Sequence, residues 1–226
     1  MSRVIWLIWL ICLLAISLQS YAGSEQEGKV MTVNEVFAEI QRLPEKSVPP
    51  SLMKNAYAVA VIPSVVKVGF VVGGRYGTGA LSVRGKGGNW SEPVFISLTS
   101  GSVGLQVGAQ STDVVLVFKS RKSVDGILKR KFTLGADASV AAGPVGRSAS
   151  AATDEKLKAE IYSYSRSRGL FAGMALDGAV IEIKSEDNQH YYRQIDLTAQ
   201  QIIAGDKKNA PESGKRFRDL LNQYSQ

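Results

Sequence analysis

Beyond Pro63 the chain is written in short apolar runs broken repeatedly by glycine, a texture that suits closely packed strands and tight turns. Candidate strands span residues 69–74, 78–84, 94–99, 103–109 and 114–118. Between two of them, Arg84-Gly-Lys-Gly-Gly-Asn89 reads as an exposed hairpin turn, because glycine and asparagine accept a positive φ. The same texture returns over 132–140 and 143–152, and residues 161–165, 169–175 and 179–184 read as further strands. Residues 69–73 and 169–173 share a glycine-spaced pattern, as though one hairpin had been used twice. Two copies do not make a solenoid.

Helical spacing is confined mainly to the flanks. Val33, Val36, Phe37 and Ile40 recur at three and four within 31–42, behind Thr32 and Asn34 as caps, and Pro44, Pro49 and Pro50 end that helix. A second helix is expected to open at Ser51 and to run through Leu52, Asn55 and Ala56 into the apolar segment 58–62. A short helix over 123–128, capped by Ser123, interrupts the strands, and residues 154–158 read as a turn or a helical start. Amphipathic helices over 198–204 and 214–224 close the chain. The expected fold is therefore α+β: a glycine-rich antiparallel sheet or partly closed barrel, flanked by helices at both chain ends.

The first residues have the layout of a secretory signal: a basic start at Arg3, an apolar run from Val4 to Ile16, and a small polar exit through Ser20 to Ala22. The run is shorter than the ~20 residues that span a bilayer, so cleavage between Ala22 and Gly23 and a periplasmic location are expected, with an uncleaved anchor as the alternative. The single cysteine, Cys12, leaves with this segment, and no disulfide can form. About 200 residues remain, enough for one core without staples or metals. The expected organisation is a signal peptide over 1–22, an N-terminal helix and linker over 23–50, the main domain over 51–205 and a C-terminal helix over 206–226.

Catalytic chemistry finds little support. Beyond the signal, one histidine, His190, and no cysteine remain, so a His–Cys metal cluster cannot be assembled, and a nucleophilic triad would have to use His190. That residue sits in Asp187-Asn-Gln-His190, read as a surface turn before a strand. The loop Gly73-Gly-Arg-Tyr-Gly-Thr-Gly79 lacks the Gly-Lys-Ser/Thr ending of a phosphate loop and is read as a place where backbones pass closely. Asp113, Asp125, Asp137 and Asp177 propose no acid pair. No metal, cofactor or catalytic residue is assigned.

Charge is more informative. The signal removes only Arg3 of the 27 Lys and Arg, and the rest exceed the 20 Asp and Glu by about six, a balance that favours polyanionic partners. The densest cluster is Lys119, Arg121 and Lys122, then Lys129, Arg130 and Lys131, with Val124, Ile127 and Leu128 between them. A helix there would carry cations at both ends around an apolar face, and each cation near an anionic bilayer contributes about 1 kcal/mol. A solvated edge helix is the alternative reading. Nucleic acid is not expected, since the aromatic residues are not interleaved with these cations and no binding motif appears.

The ordered series Ala60-Val-Ile-Pro, Gly69-Phe-Val-Val-Gly-Gly-Arg-Tyr-Gly-Thr-Gly-Ala-Leu81, Trp90-Ser-Glu-Pro, Gly104-Leu-Gln-Val-Gly-Ala-Gln, Leu134-Gly-Ala-Asp, Ala142-Gly-Pro-Val-Gly, Ile161-Tyr-Ser-Tyr-Ser and Gly169-Leu-Phe-Ala-Gly resembles the SYLF domain over roughly 51–205. The resemblance implies a non-enzymatic lipid-binding module with no catalytic residues to carry over. Eukaryotic members bind phosphoinositides and in some cases actin, partners that an exported bacterial chain would not meet. The expectation is binding of anionic phospholipid or a membrane surface through the basic cluster. The rival is an envelope scaffolding module that meets a protein through the same surface. Trp90, Tyr162 and Tyr164 are expected to anchor the sheet's packing, with a lipid-contacting rim as the alternative.

Overall fold

The computed structural model describes residues 25–42, 47–69, 72–103, 110–129, 131–144, 158–167, 170–173, 176–205 and 210–226. The apolar run 4–16, the cleavage residues Ala22 and Gly23, most of the strand expected over 103–109, residues 145–152 and 154–157, and Arg130 lie outside them.

Among the described residues nine strands form one sheet: β1 (Ala58–Gly69), β2 (Val72–Val83), β3 (Val94–Val103), β4 (Gln110–Phe118), β5 (Phe132–Thr133), β6 (Val140–Ala142), β7 (Ile161–Ser167), β8 (Leu170–Gly173) and β9 (Val180–Ile183). Their order is β5-β9-β3-β2-β1-β4-β7-β6, with β8 beside β7. Every pairing is antiparallel except β6 with β7. Helices flank it: α1 (25–41), α2 (Pro50–Lys54), α3 (Arg121–Lys129), α4 (Ser185–Tyr192), α5 (Ala199–Ala204) and α6 (Glu212–Tyr224). The expected α+β architecture with terminal helices is what forms.

Central strands are buried on both faces, which is why they read as unbroken apolar runs. Ala58, Ala60 and Ile62 of β1 and Val114, Leu116 and Phe118 of β4 enter one core with Val124 and Ile127 of α3 and Ile181 of β9. Val59, Val61, Val115 and Val117 face the opposite way and meet Phe37 of α1, Leu52 of α2, and Phe217 and Leu221 of α6. Residues 58–62 are therefore strand, and the expected continuation of the second helix into them is incorrect. That helix starts after Pro49 and ends at Lys54, because β1 can satisfy two cores only in an extended conformation.

The sheet curls. α3 leaves β4, touches both β4 and β9, and contributes to the core that those strands share. Nine residues of helix extend ~13 Å, whereas four strand spacings in a flat sheet extend ~19 Å. The bend is built into β1. Between Val61 and Val66 its register slips against β2, and between Ile62 and Val65 against β4, so β1 carries one residue more than either neighbour. Pro63, which has no N–H to give to a ladder, sits in this bulge. Ser64 beside it has φ 50° and donates its N–H to Asp113 Oδ1 at 2.9 Å.

The bulge leans on β2. A Cβ on Gly79 would lie 2.1 Å from the Val61 carbonyl oxygen and 2.7 Å from Ile62 Cα, and one on Gly77 would meet Val65 Cγ2 at 2.8 Å. The glycine-rich loop of the sequence is thus a strand that lets a bulged neighbour approach, as expected. Other motifs have similar roles. Gly143 accommodates the fully buried ring of Tyr164, whose Cζ would lie 2.1 Å from an added Cβ. Leu134-Gly-Ala-Asp is a turn in which Gly135 adopts φ +87° and Asp137 Oδ2 accepts the Thr133 N–H at 2.8 Å. Trp90, Tyr162 and Tyr164 are core residues, at most 4% exposed.

Four local expectations are corrected. α1 begins before Thr32, whose hydroxyl donates to the Gly28 carbonyl within the helix, while the buried Asn34 amide donates to the Ser213 carbonyl and ties α1 to α6. α3 begins at Arg121 and not at Ser123; Ser120 Oγ accepts the Ser123 N–H, and the Ser123 hydroxyl donates to Glu160. Residues 187–190 belong to α4 instead of a surface turn, because Asn188 is fully buried and its Oδ1 accepts the Phe95 N–H at 2.8 Å. The strand expected over 179–184 is shorter, giving way to α4 after Ile183.

Gly79→Ala should lower stability by about 3 kcal/mol or prevent folding, because its Cβ meets backbone that cannot move aside. Gly87→Ala, with nothing within 4 Å of its added methyl, should stay close to wild type in urea denaturation.

Candidate anion-binding surface

β1 begins where β2 and β4 end: Ala58 pairs with Val83 on one side and Phe118 on the other. Residues just before Ala58, after Val83 and after Phe118 therefore emerge together at one end of the sheet. Lys54 and Tyr57 come from the first position, Arg84 and Lys86 from the second, and Lys119, Arg121 and Lys122 from the third. β9 also finishes at this end, and β5 runs antiparallel to it, so Lys131 before Phe132 lies toward the same end. α3 crosses between, with Lys129 in its last turn.

The fold thus brings the described members of the sequence cluster to one end. It does not offer the apolar face imagined between them, since Val124 and Ile127 are buried in the core and Leu128 is partly buried against it. Arg121, Lys122, Lys129 and Lys131 are exposed, and Lys119 is half-buried with its backbone N–H donating to the Glu160 carbonyl. Acidic neighbours temper this display at Lys131 and Arg121. Lys131 Nζ lies 2.6 Å from Glu182, whose hydrogen bond and charge raise its pKa. Arg121 Nε lies 3.9 Å from Asp125 on the same helix.

Sequence reading missed the other half of the surface. Lys54, Tyr57, Arg84, Lys86 and Arg121 line a groove of about 470 Å³ between the end of α2 and the 84–90 turn. Its cations lie far apart in the sequence and meet only through strand register. The turn itself forms as expected: Arg84 bridges to Trp90, Gly88 takes φ +82°, and Gly88 donates its N–H to the Gly85 carbonyl. Arg84 is the fixed wall. Its guanidinium donates to the Lys54 and Met53 carbonyls at the end of α2 and lies 4.7 Å over the Trp90 ring. Burial pulls its pKa below the usual arginine value.

A second groove, of about 460 Å³, has the opposite character. It is lined by Glu35, Glu39 and Asp113 with Arg166, which pairs with Glu39 and with Asp113 at 2.7 Å. The contrast makes the first groove distinctive: among the described residues four cations line it and no carboxylate does. Among the described residues no group of three or more histidine, cysteine or acidic side chains could hold a metal, and His190 is exposed on α4. No described helix is long and apolar enough to cross a membrane.

Arg84→Ala should remove the anchor of α2 and the cover of Trp90, lowering the urea midpoint by an amount equivalent to about 1–3 kcal/mol. Arg84→Lys should recover only a small part of this, because an ammonium cannot serve two carbonyls in a planar fork.

Residues 99–224 match the family described as "Ysc84: Las17-binding protein actin regulator", more than half of the chain and extending through α6. Among similar proteins are the SH3 domain-containing YSC84-like protein 1 of Xenopus laevis, 33% identical over 81% of this chain and 54% of the frog protein, and its Homo sapiens counterpart, 31% identical over 81% and 53%. LAS seventeen-binding protein 3 of Saccharomyces cerevisiae is 35% identical over 83% of this chain and 40% of the yeast protein. The chain spans about half, or less, of the length of these relatives. With a family model matched over more than half of the chain and relatives above 30% identity aligned over about four-fifths of it, the chain belongs to the Ysc84 family, the family of the SYLF domain.

Proposed function

We propose that this protein is an exported, non-enzymatic binding module that engages anionic phospholipid through the basic end of its sheet. The observation that carries the proposal is the convergence of Lys54, Arg84, Lys86, Lys119, Arg121, Lys122 and Lys129 at one end, beside a groove lined by no carboxylate among the described residues. Three separate chain segments deliver these charges, so the surface persists only in the folded state. Pairing of Lys131 with Glu182 and the weaker approach of Arg121 to Asp125 reduce the net attraction below that of a bare cluster. What remains, at about 1 kcal/mol per cation, supports reversible attachment to a bilayer. Export rests on the amino-terminal sequence, with its basic start, apolar run and Ala22 exit.

A protein partner on the same surface is the second reading, favoured by the family's description as Las17-binding. The two readings separate in a flotation experiment with protein isolated as the cell processes it. The protein should rise with vesicles containing phosphatidylglycerol but not with phosphatidylcholine alone. The association should fade as salt shortens the Debye length from about 10 Å at 0.1 M to about 3 Å at 1 M. Binding indifferent to lipid charge would remove the electrostatic mechanism. No flotation on any anionic vesicle would favour the protein partner.

A further inference from the structure

We infer that the groove between α2 and the 84–90 turn is a binding site for a phosphate monoester, carried by a lipid such as phosphatidic acid. This deepens the anionic-lipid reading by giving the surface a specific headgroup seat. A flat field of cations attracts any anionic bilayer in proportion to its charge. The groove instead gathers Lys54, Arg84, Lys86 and Arg121 around a concavity of about 470 Å³, with no acidic side chain in its lining among the described residues. A phosphodiester brings one negative charge, whereas a monoester brings about −1.5 to −2 near neutral pH and three strong acceptor oxygens. Several converging cations distinguish the second from the first.

The four cations contribute differently. Arg84 has its terminal nitrogens committed to the Met53 and Lys54 carbonyls, so it supplies a fixed positive wall instead of a mobile donor. Lys86 is exposed at the tip of a turn and flanked by Gly85 and Gly87, free to reach inward. Lys54 is exposed at the last residue of α2, and Arg121 is exposed at the first residue of α3, held only loosely by Asp125 at 3.9 Å. Tyr57, 46% exposed, adds an amphipathic ring to the lining, suited to contact the glycerol region of a lipid.

The test compares vesicles of phosphatidylcholine carrying phosphatidic acid with vesicles carrying phosphatidylglycerol, matched for surface charge, alongside calorimetric titration with glycerophosphate. Wild type should bind the phosphatidic-acid vesicles about tenfold or more tightly, and it should bind glycerophosphate weakly. Lys86→Glu and Arg121→Glu should abolish the preference, and Lys86→Glu should also abolish glycerophosphate binding, while both retain the wild-type circular dichroism spectrum. Lys215→Glu, an equal charge change on α6 outside the groove, should keep both properties. Equal affinity for the two charge-matched vesicles, or a preference that survives Lys86→Glu, would overturn the inference and leave general anionic binding standing. Glycerophosphate binding lost in Lys86→Glu, without binding to either vesicle, would keep the site but assign it to a soluble monoester, and the membrane reading would fail. Absence of binding to every probe would remove both.

Discussion

The β1 bulge pressed against the glycines of β2 is the contact on which the rest of the structure depends. β1 is buried on both faces from Ala58 to Ile62 and joins two cores, so its backbone cannot be displaced from either side. The extra residue at Pro63–Ser64 bends the strand, and Gly77 and Gly79 allow β2 to follow. A side chain at Gly79 would push the two strands apart where the curl is generated. Without the curl, α3 could not join β4 to β9, and the inner core would lose the helix that covers one of its ends.

Strand register sets the electrostatics. Because β1 starts where β2 and β4 finish, the connections that follow them crowd together, and these are the segments that carry the cations. The carboxylates Glu35, Glu39 and Asp113 instead collect beside the bulge, where Arg166 is already paired with two of them. One groove is thus internally neutralised in large part, whereas the other gathers four cations, of which Arg121 is held loosely by Asp125 at 3.9 Å. The terminal helices keep this arrangement rigid: Phe37 of α1 meets Phe217 and Tyr224 of α6 edge to face, and Trp90 Nε1 donates to the Ser225 hydroxyl.

Much of the fold was legible in the sequence because glycine-spaced apolar runs have few alternatives to tightly packed strands. The 84–89 turn, the flanking helices and the structural role of the Gly73–Gly79 loop followed from local rules. The segment 58–62 misled because an unbroken apolar run has no period that separates a doubly buried strand from a buried helix, and Pro63 resembled a boundary when it marks a bulge. Asn188 misled in another way: a polar stretch suggested a surface turn, but its amide is enclosed in the core to hold the Phe95 N–H. The candidate site was half legible. The 119–131 cluster is dense in sequence and visible there, while Lys54, Arg84 and Lys86 join it only through strand register.

The central claim is that one end of the sheet, and not the other, meets an anionic surface. Hydrogen exchange of the protein with and without anionic vesicles reads this residue by residue. The account predicts slowed exchange at 54–57, 84–89 and 119–122, with the exposed pair Val66 and Tyr76 at the far end of β1 and β2 unchanged. Protection concentrated around Val66 and Tyr76, with the 84–89 turn exchanging as in free protein, would contradict it.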